Sequence, residues 1–557
     1  MIVTILDGYV DEPAALGVPP YLSHYVRYIA GAAADAGAEV RYLTVDAWRK
    51  EKKTPAGDLL VIIAGALVPG KYLRGTPISY NETQVVASSF PGTVILAGGS
   101  AVYGFGEGGG REARSLLGLS SFISHFCSCD ADAAVYDYLT KGSFSDRLRT
   151  TAEWNRWALK GAFIAREHPD HPNPLICEIE TYRGCVRYLN GGCSFCMEPH
   201  FGRPVTRETE DIISEVRELS GQGVVNFRLG AQSCFFSYMA SGVGMTETPR
   251  PNPAAVKELL CGIRTAAPGL KVLHIDNATP AIIAEHPKES RKVAEHIVEY
   301  CTPGNVAAFG LESADPDVKE ANNLNATAEQ AMSAIKLLNE VGNIRGGNGM
   351  PHLLPGINLL HGLKGETKRT YKLNFDFLRQ IYDGGLTLRR INVRQVLITG
   401  GNEKEGWTGK KYHGEFLKLK RRINDEINRP MLKRLVPEGT VLRDVYLEKF
   451  DGGASFGRQV GSYPLLVGIP YEAGLERFVD VKITDYGFRS VTGVEYPFPI
   501  NGATVRALEV LPGIGKRRAQ AIAAARPFAS FGELEKLIDD KNVSGRLGEF
   551  ISIGNSD

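Results

Sequence analysis

Three cysteines lie close together in the segment YRGCVRYLNGGCSFCMEP. Cys193 and Cys196 form a C-x2-C pair, and Cys185 precedes that pair with seven residues between. A closed structural zinc site needs four nitrogen or sulfur ligands, and His200 could supply the fourth. An iron–sulfur cluster held by three thiolates leaves one iron open to another ligand. The spacing favours the iron–sulfur cluster but leaves both sites open.

The other six cysteines show no further ligand pattern. Cys127 and Cys129 form a C-x-C pair, which is too tight for a good metal pair and is left unassigned. The remaining four lie apart in apolar contexts and are predicted to be small buried residues: Cys177, Cys234, Cys261 and Cys301. Because nine is an odd number and the N-terminus lacks a basic signal region, we expect reduced thiols in a cytoplasmic protein.

Composition indicates an ordinary globular protein of several domains. The chain has 557 residues, of which 43% are hydrophobic and 23% charged, and its net charge is +1. A chain of this length exceeds a single hydrophobic core. The balanced charge excludes a global field that would draw the whole chain to nucleic acid or to a membrane surface. Apolar runs are also shorter than the roughly 18 residues that predict a membrane span.

A series of strands and helices must position the cysteines. The segment LICEIETYRGC predicts a strand that runs into the cysteine loop, and about six strand–helix units fill residues 165–402. This repeat predicts a partial (β/α)6 TIM-like barrel with an active site at the carboxyl ends of its strands. Arg228 and Gln232 follow one strand, where they are predicted catalytic groups or else a surface pair. Glu312 and Ser313 follow another strand, where Glu312 is either a site residue or a helix cap.

These segments resemble the radical SAM superfamily in the right order along the chain. The motifs are RGC with CSFC, then GLES, then LKGET, then INVRQVLI. The resemblance implies that the three cysteines hold a [4Fe–4S] cluster whose fourth iron binds the amino and carboxylate groups of S-adenosylmethionine (SAM). It also implies cofactor contacts from Phe195, from Glu312 and Ser313 at the ribose or amino group, and from Ile398 near the adenine. Most members have C-x3-C-x2-C, so the seven-residue gap is a departure.

Residues 1–150 are predicted to form a doubly wound, Rossmann-like α/β domain. Continuous apolar strands alternate with helices, which favours a parallel sheet that binds ligands at its carboxyl edge. Gly65 and the segment Gly98, Gly99 and Ser100 follow two of these strands, where they serve a ligand or only the turns. The absence of G-x-G-x-x-G disfavours NAD.

The same region, through DEPAALGVPPYLSHYVRYIAGAAADAGAEVRYL and VILAGGSA, resembles the cobalamin-binding domain of B12-dependent radical SAM enzymes. The resemblance implies that the Gly-Gly-Ser segment lies against the nucleotide tail of cobalamin. The chain has no D-x-H-x-x-G, which implies that no histidine binds cobalt.

The last part of the chain contains two small predicted domains. Short alternating strands over residues 430–497 predict a β-barrel that loosely resembles the TRAM domain. Residues 503–545, with LPGIGKRR, resemble a helix-hairpin-helix. Its glycine turn would bind phosphate through backbone N–H groups, or the hairpin would dock a protein.

The resemblances together imply a B12-dependent radical SAM C-methyltransferase. In that family a 5′-deoxyadenosyl radical removes hydrogen from an unactivated carbon and methylcobalamin delivers the methyl group, with an external electron donor. The architecture is most similar to archaeal members with a helix-hairpin-helix tail, which implies a protein substrate such as a glutamine in the alpha subunit of methyl-coenzyme M reductase.

Two alternatives remain. A tRNA methylthiotransferase would need three more cluster cysteines before residue 150, where this chain has only Cys127 and Cys129. An iron–sulfur accessory protein that binds nucleic acid would keep the cluster and the hairpin, but it would not need Glu312, Ser313 or the LKGET segment.

Overall fold

A computed structural model describes residues 1–10, 18–65, 72–106, 108–397, 407–408 and 411–553. The chain divides into two compact units. The first unit comprises Met1–Ile344, His352–Lys420 and Gly461–Tyr463, and the second comprises Arg345–Pro351, Arg421–Val460 and Pro464–Asp557. Among the described residues, no helix is long and apolar enough to cross a membrane.

The described part of the first unit contains fifteen strands and thirteen complete α-helices, and α14 crosses the boundary at Lys420. The strands are β1 (Ile2–Asp7), β2 (Tyr21–Leu22), β3 (Glu39–Thr44), β4 (Leu59–Ile63), β5 (Thr93–Ala97), β6 (His125–Phe126), β7 (Ile176–Glu180), β8 (Tyr182–Arg183), β9 (Val205–Thr206), β10 (Asn226–Gly230), β11 (Val272–Ile275), β12 (Asn277–Ala278), β13 (Asn305–Glu312), β14 (Leu353–His361) and β15 (Arg390–Gln395). The helices are α1 (His24–Asp35), α2 (Val45–Glu51), α3 (Tyr80–Ser89), α4 (Gly99–Tyr103), α5 (Ala131–Lys141), α6 (Thr151–Lys160), α7 (Thr209–Gly221), α8 (Pro253–Ala266), α9 (Pro280–Glu285), α10 (Pro287–Tyr300), α11 (Pro316–Ala321), α12 (Ala328–Gly342), α13 (Lys368–Asp383) and α14 (His413–Arg422).

The N-terminal part of this unit contains the parallel sheet that the apolar runs predict. Its strand order is β3-β1-β4-β5-β6, with every neighbouring pair parallel. All five residues of β4 are buried, as expected for a strand covered on both faces. This doubly wound order places the ligand-binding crevice of such sheets at the carboxyl ends of the strands, beside the loops that follow β1, β4 and β5.

The six barrel strands predicted from the strand–helix repeat are also present. Two sheets, β2-β7-β10-β11 and β12-β13-β14-β15, follow one another in chain order. Only Asp276 separates β11 from β12, so the two sheets continue as one parallel series. Helices with strong start signals lie between the strands: Thr327 forms a capping box at the start of α12, and Asn252 caps α8 just before Pro253.

One element belongs to a different sheet from the one that its position in the sequence predicts. The short strand β2 lies within the predicted domain 1–150, yet it pairs in parallel with β7, with Tyr21 opposite Ile176 and Leu22 opposite Cys177. A second contact joins the two parts, because the Gly110 N–H donates to the Val396 carbonyl at 2.8 Å. The N-terminal sheet and the barrel are therefore joined at both edges of the strand series.

The second unit contains the predicted small barrel and a helical tail. Its strands are β16 (Val441–Asp451), β17 (Ala454–Gln459), β18 (Leu466–Ile469), β19 (Phe478–Tyr486), β20 (Ser490–Glu495), β21 (Phe498–Pro499) and β22 (Ile551–Ser552). Its helices are α15 (Arg429–Leu435), which follows a π-helical segment Ile423–Asn428, then α16 (Val505–Glu509), α17 (Lys516–Ala525), α18 (Phe531–Leu537) and α19 (Lys541–Gly548). Strands β16-β17-β18-β20-β19 close into a five-stranded barrel, so the small β-barrel is confirmed.

Candidate functional site

The cysteine loop leaves the barrel at the carboxyl end of β7. Strand β8 pairs with β9 in antiparallel fashion and closes the base of the loop. The residues after Cys185 form a 3-10 helix, Val186–Asn190, and Gly191 and Gly192 then turn the chain with φ of 79° and 67°. The Cys196 N–H donates to the Cys193 carbonyl at 2.9 Å, which holds the C-x2-C pair in a tight turn.

The three thiols are half-buried in the cysteine loop. Burial raises the pKa of Cys193 to about 11, with smaller contributions from the charges of Glu312 and Cys185. Burial likewise raises the pKa of Cys196, and both of the other thiols add to that rise. In the described residues no group of three or more His, Cys, Asp or Glu side chains is already arranged as a metal site.

The donor set nevertheless suits an iron–sulfur cluster. Each thiol accepts a hydrogen bond from a backbone N–H, from Arg187 to Cys185, from Asn325 to Cys193 and from Glu198 to Cys196, and each bond lowers the pKa of its thiol. Such bonds stabilise thiolates and tune clusters. Three thiols on one loop, with a carboxyl group nearby, fit a cluster with one open iron.

That carboxyl group belongs to Glu312, at the end of β13. Glu312 has a left-handed backbone with φ of 62°, and the pairing of β13 with β14 shifts register between Gly310 and Glu312. A non-glycine residue in this conformation is strained, and such strain concentrates at functional sites. Burial alone raises the pKa of Glu312 to about 8, and its charge acts on Cys193. Glu312 therefore acts electrostatically on the cysteine loop, and its contact with SAM stays a prediction.

Ser313, by contrast, forms hydrogen-bond contacts with residues around the start of α11. Its side chain is buried, its Oγ accepts from the Asp315 N–H at 3.2 Å, and its Oγ also contacts Asn374 Oδ1 at 3.5 Å. Its predicted role as a SAM contact stays a prediction, and the bonds to Asp315 and Asn374 give it a structural role at the start of α11.

Arg228 lies in the middle of β10, so its predicted position at the end of the strand is wrong. It is fully buried, and it forms ion pairs with Glu178 at 2.8 Å and with Asp276 at 2.5 Å. Its Nη1 also donates to Tyr21 Oη at 3.1 Å. This geometry favours a role in holding the barrel together, and it excludes the surface pair that was the alternative.

Gln232 follows β10 and is also buried. It accepts a hydrogen bond from Thr181 Oγ1 at 3.2 Å and donates to the Leu229 carbonyl at 3.0 Å. Both bonds fix the loop that follows β10, and a catalytic role for Gln232 stays a prediction.

Phe195 and Ile398 were predicted as cofactor contacts. Phe195 packs, together with Cys193, against a buried apolar cluster of Val318, Leu324 and Leu363. This packing anchors the cysteine loop to the barrel, so Phe195 has a structural role. Its contact with the cofactor stays a prediction. Ile398 lies outside the described residues.

The predicted cobalamin segment follows two neighbouring strands of the N-terminal sheet, β4 and β5. Gly65 approaches Val10 and Gly98 approaches Ala64 so closely that a Cβ on either would lie within 3.0 Å of a neighbouring atom. Gly99 begins α4, and the buried Ser100 donates its N–H to the Ala64 carbonyl at 2.9 Å. These contacts give the glycines a packing role between strand ends, and their contact with cobalamin stays a prediction.

Helix α4 ends at Tyr103. Burial raises the pKa of Tyr103, and the charges of Cys196 and Glu198 add to that rise. Contacts between the two parts are given by β2, which follows β1 and pairs with β7, and by the Gly110 N–H, which donates to the Val396 carbonyl.

The polar pair on the last two barrel strands was not predicted from the sequence. Asn358 on β14 lies opposite Asn392 on β15, and the Asn392 Nδ2 donates to Asn358 Oδ1 at 3.3 Å. The Arg394 Nε donates in turn to Asn392 Oδ1 at 3.2 Å. A signal was available, because polar residues alternate within the strand sequence RINVRQ and alternation places them on one face.

Comparison with known proteins supports the same assignment. A model of the radical SAM superfamily matches residues 179–378. The Methanocaldococcus jannaschii protein MJ0274 is 46% identical over 504 residues, which cover 88% of this chain and 92% of MJ0274. A protein of Archaeoglobus fulgidus is 42% identical over 546 residues, which cover 96% of this chain and 97% of that protein.

Among solved structures, the radical SAM methyltransferase TsrM from Kitasatospora setae, with cobalamin and a [4Fe–4S] cluster bound, is 14% identical with a TM-score of 0.45, over 72% of each chain. The radical SAM match decides between the two metal sites that the cysteine spacing left open, in favour of the iron–sulfur cluster. The chain therefore belongs to the same family as MJ0274, and it carries a radical SAM domain, whose cofactors are a [4Fe–4S] cluster and SAM.

Proposed function

We propose that this protein is a cobalamin-dependent radical SAM C-methyltransferase that methylates an unactivated carbon of a protein substrate. The observation that carries the proposal is the pairing of β2, which follows the carboxyl end of β1, with β7, which leads into the cysteine loop. Parallel sheets bind ligands at this edge, so a cofactor held there would be next to the thiol loop. When bound, the cluster with SAM supplies a 5′-deoxyadenosyl radical and cobalamin supplies the methyl group.

The polar interior of the barrel supports a side-chain amide as the substrate group. Asn358 and Asn392 lie on neighbouring strands at one register position. A carboxamide offers both donors and acceptors, so an asparagine pair can hold a glutamine amide by reciprocal hydrogen bonds. Their task would be to orient the substrate carbon and to restrict water. We propose a glutamine as the target, with the alpha subunit of methyl-coenzyme M reductase as the substrate protein and an external electron donor as a second partner.

We assign substrate docking to the helical tail. The turn between α16 and α17 is braced within the second unit, because Gly513 lies so near Val543 that a Cβ would be 2.9 Å from it and Arg518 donates to the Gly513 carbonyl at 2.7 Å. Lys516 and Arg517 are exposed at the start of α17. A braced turn with exposed cations suits an acidic protein surface, and binding of nucleic acid through the same turn is the alternative outcome.

The proposal is tested by anaerobic reconstitution with iron, sulfide and hydroxocobalamin. We expect about one cobalamin per chain, detected by its visible absorbance after desalting. Replacement of the exposed Val102 of α4 by arginine should abolish this binding, whereas the same change at the exposed Val85 of α3 should not. Wild-type protein that retains the cluster but no cobalamin would refute the proposal. Mass spectrometry of glutamine peptides and of tRNA, each treated with isotopically labelled SAM, would then identify the methylated target.

A second prediction concerns Glu312. Its pKa of about 8 means that the carboxyl group is mostly protonated at pH 7 before SAM binds. A cationic ligand favours the carboxylate, so binding should release a proton. We expect the release at pH 7 to approach one proton per SAM, and to fade as the pH rises above about 8. Calorimetry in two buffers of different ionisation enthalpy measures this release.

The matched variants are Glu312→Gln and Glu320→Gln, the second being an exposed acid on the nearby helix α11. We expect Glu312→Gln to bind SAM about tenfold or more weakly, because a charged hydrogen bond is lost, and to release no proton. Glu320→Gln should behave as wild type. Equal proton release in both variants would show that Glu312 is not part of the SAM site.

A further inference from the structure

The long gap between Cys185 and Cys193 brings an arginine onto a cluster thiol. Arg187 lies in the 3-10 helix of this gap, and its Nη1 donates to Cys193 Sγ at 3.1 Å. Its side chain is only 4% exposed. The guanidinium is permanently charged, so this is a charged hydrogen bond to a thiolate in a place with little water.

The position of Arg187 is fixed from a distant part of the chain. Its Nη1 also donates to the Asn323 carbonyl at 2.7 Å, and its Nη2 donates to Asn323 Oδ1 at 2.9 Å. Asn323 itself adopts a left-handed backbone with φ of 49°, and its Nδ2 donates to the Gly192 carbonyl at 2.8 Å. The arginine and the glycine turn of the gap are therefore held by the same asparagine.

The neighbouring Asn322 extends this cradle to the C-x2-C pair. The Ser194 N–H donates to the Asn322 carbonyl at 3.0 Å, and Ser194 Oγ donates to Asn322 Oδ1 at 3.0 Å. Two adjacent asparagines thus support both sides of Cys193. A cation held this rigidly keeps its distance from the thiol when the charge of the cluster changes.

The carboxylate of Glu247 contacts the Nε end of the guanidinium. The Arg187 Nε donates to Glu247 Oε2 at 2.9 Å, and the Glu247 side chain is 44% exposed. Glu247 therefore offsets part of the charge of Arg187. Because solvent reaches Glu247, a substitution can remove its carboxylate without disturbing the interior.

We propose that Arg187 is a positioning residue that raises the reduction potential of the iron–sulfur cluster, and that Glu247 moderates its effect. Reduction adds one electron to the cluster and forms no bond, so the reduced state carries one more negative charge next to Arg187. A nearby buried cation stabilises that state, because the surrounding protein screens the charge weakly. The proposal rests on the cluster within the proposed function and on no part of the methyl transfer.

The test is a potentiometric titration of reconstituted protein with dithionite, followed by the electron paramagnetic resonance signal of the reduced cluster. Arg187→Gln keeps an N–H donor but removes the charge. We expect its reduction equilibrium to shift about tenfold towards the oxidised cluster, which is about 59 mV for a one-electron couple. Arg187→Lys should stay close to wild type. Arg217→Gln, on the exposed side of α7, should have the wild-type potential.

The Glu247→Gln variant tests the same proposal with the opposite sign. Removal of this carboxylate should shift the equilibrium about threefold towards the reduced cluster, because the charge of Arg187 is no longer offset. A purely structural role for Arg187 would change the iron content of Arg187→Gln and leave the potential of Glu247→Gln untouched. A wild-type potential in Glu247→Gln, or in an Arg187→Gln protein with full iron content, would overturn the proposal. Wild-type protein without any cluster would instead refute the proposed function.

Discussion

Replacement of Cys193 by alanine should remove the iron–sulfur cluster and all cleavage of SAM. The loop offers three thiols, and the guanidinium of Arg187 donates a hydrogen bond to this one. A cluster with only two protein thiolates is not held, so we expect the iron content to fall from about four atoms per chain to near zero. Iron analysis, the absorbance of the reconstituted protein and the yield of 5′-deoxyadenosine measure the effect.

The matched control is Cys261→Ala. Cys261 is exposed on α8, so the prediction that it is buried is wrong. It belongs to none of the cysteine motifs, so this variant should keep its iron and its activity. Full production of 5′-deoxyadenosine by Cys193→Ala would contradict the cluster assignment. Loss of iron from both variants would point to a general sensitivity to cysteine removal and would likewise count against the loop as the specific site.

Replacement of Arg228 by methionine should destabilise the protein by about 3–5 kcal/mol, because it leaves buried carboxylates without their cation. Glu178 and Asp276 both pair with Arg228, and Asp276 also accepts a hydrogen bond from Tyr463 Oη. Burial acts to raise the pKa of Glu178, but the charge of Arg228 and the contact with His24 hold it at about 2. A urea titration followed by circular dichroism measures the loss.

The pH dependence of this variant provides a second check. In wild type the depressed pKa of Glu178 stabilises the fold above its ordinary value of 4.5, and this contribution is lost as the pH falls through about 2. Without Arg228 the pKa of Glu178 rises, so Glu178 takes up a proton at a higher pH and loses its unpaired charge. The loss of unfolding free energy in the variant should therefore be smaller at pH 4 than at pH 7.

Arg217→Met, at an exposed site on α7, should change the stability by no more than about 0.5 kcal/mol. A stable but inactive Arg228→Met protein would restore the catalytic role that the sequence suggests.

Local patterns were enough to predict much of the architecture. Five consecutive apolar residues at Leu59–Ile63 predict a buried strand, and that strand lies in the middle of the N-terminal sheet. The strand ending in Glu312 was placed correctly because its apolar run and the following helix are both continuous in sequence. Such elements are specified by residues that lie close together in the sequence.

Features that depend on distant partners were not predictable. Arg228 looks like the polar end of a strand until its partners Glu178 and Asp276 are known, and each of them lies about 50 residues away in sequence. The position of the Arg187 side chain depends on Asn323, which is 136 residues away in the sequence. Nothing in the local sequence of either arginine distinguishes a buried ion pair from a solvated side chain.

The pairing of β2 with β7 has a consequence for the order in which the protein matures during synthesis. Tyr21 and Leu22 find their partners only after Ile176 and Cys177 leave the ribosome, about 150 residues later. At about 5–20 residues per second, this strand waits for on the order of ten seconds or more. In a nascent chain that stops near residue 150, Tyr21 and Leu22 therefore have no strand to pair with and stay accessible to chaperones. The pairing of β2 with the barrel forms only in a longer polypeptide.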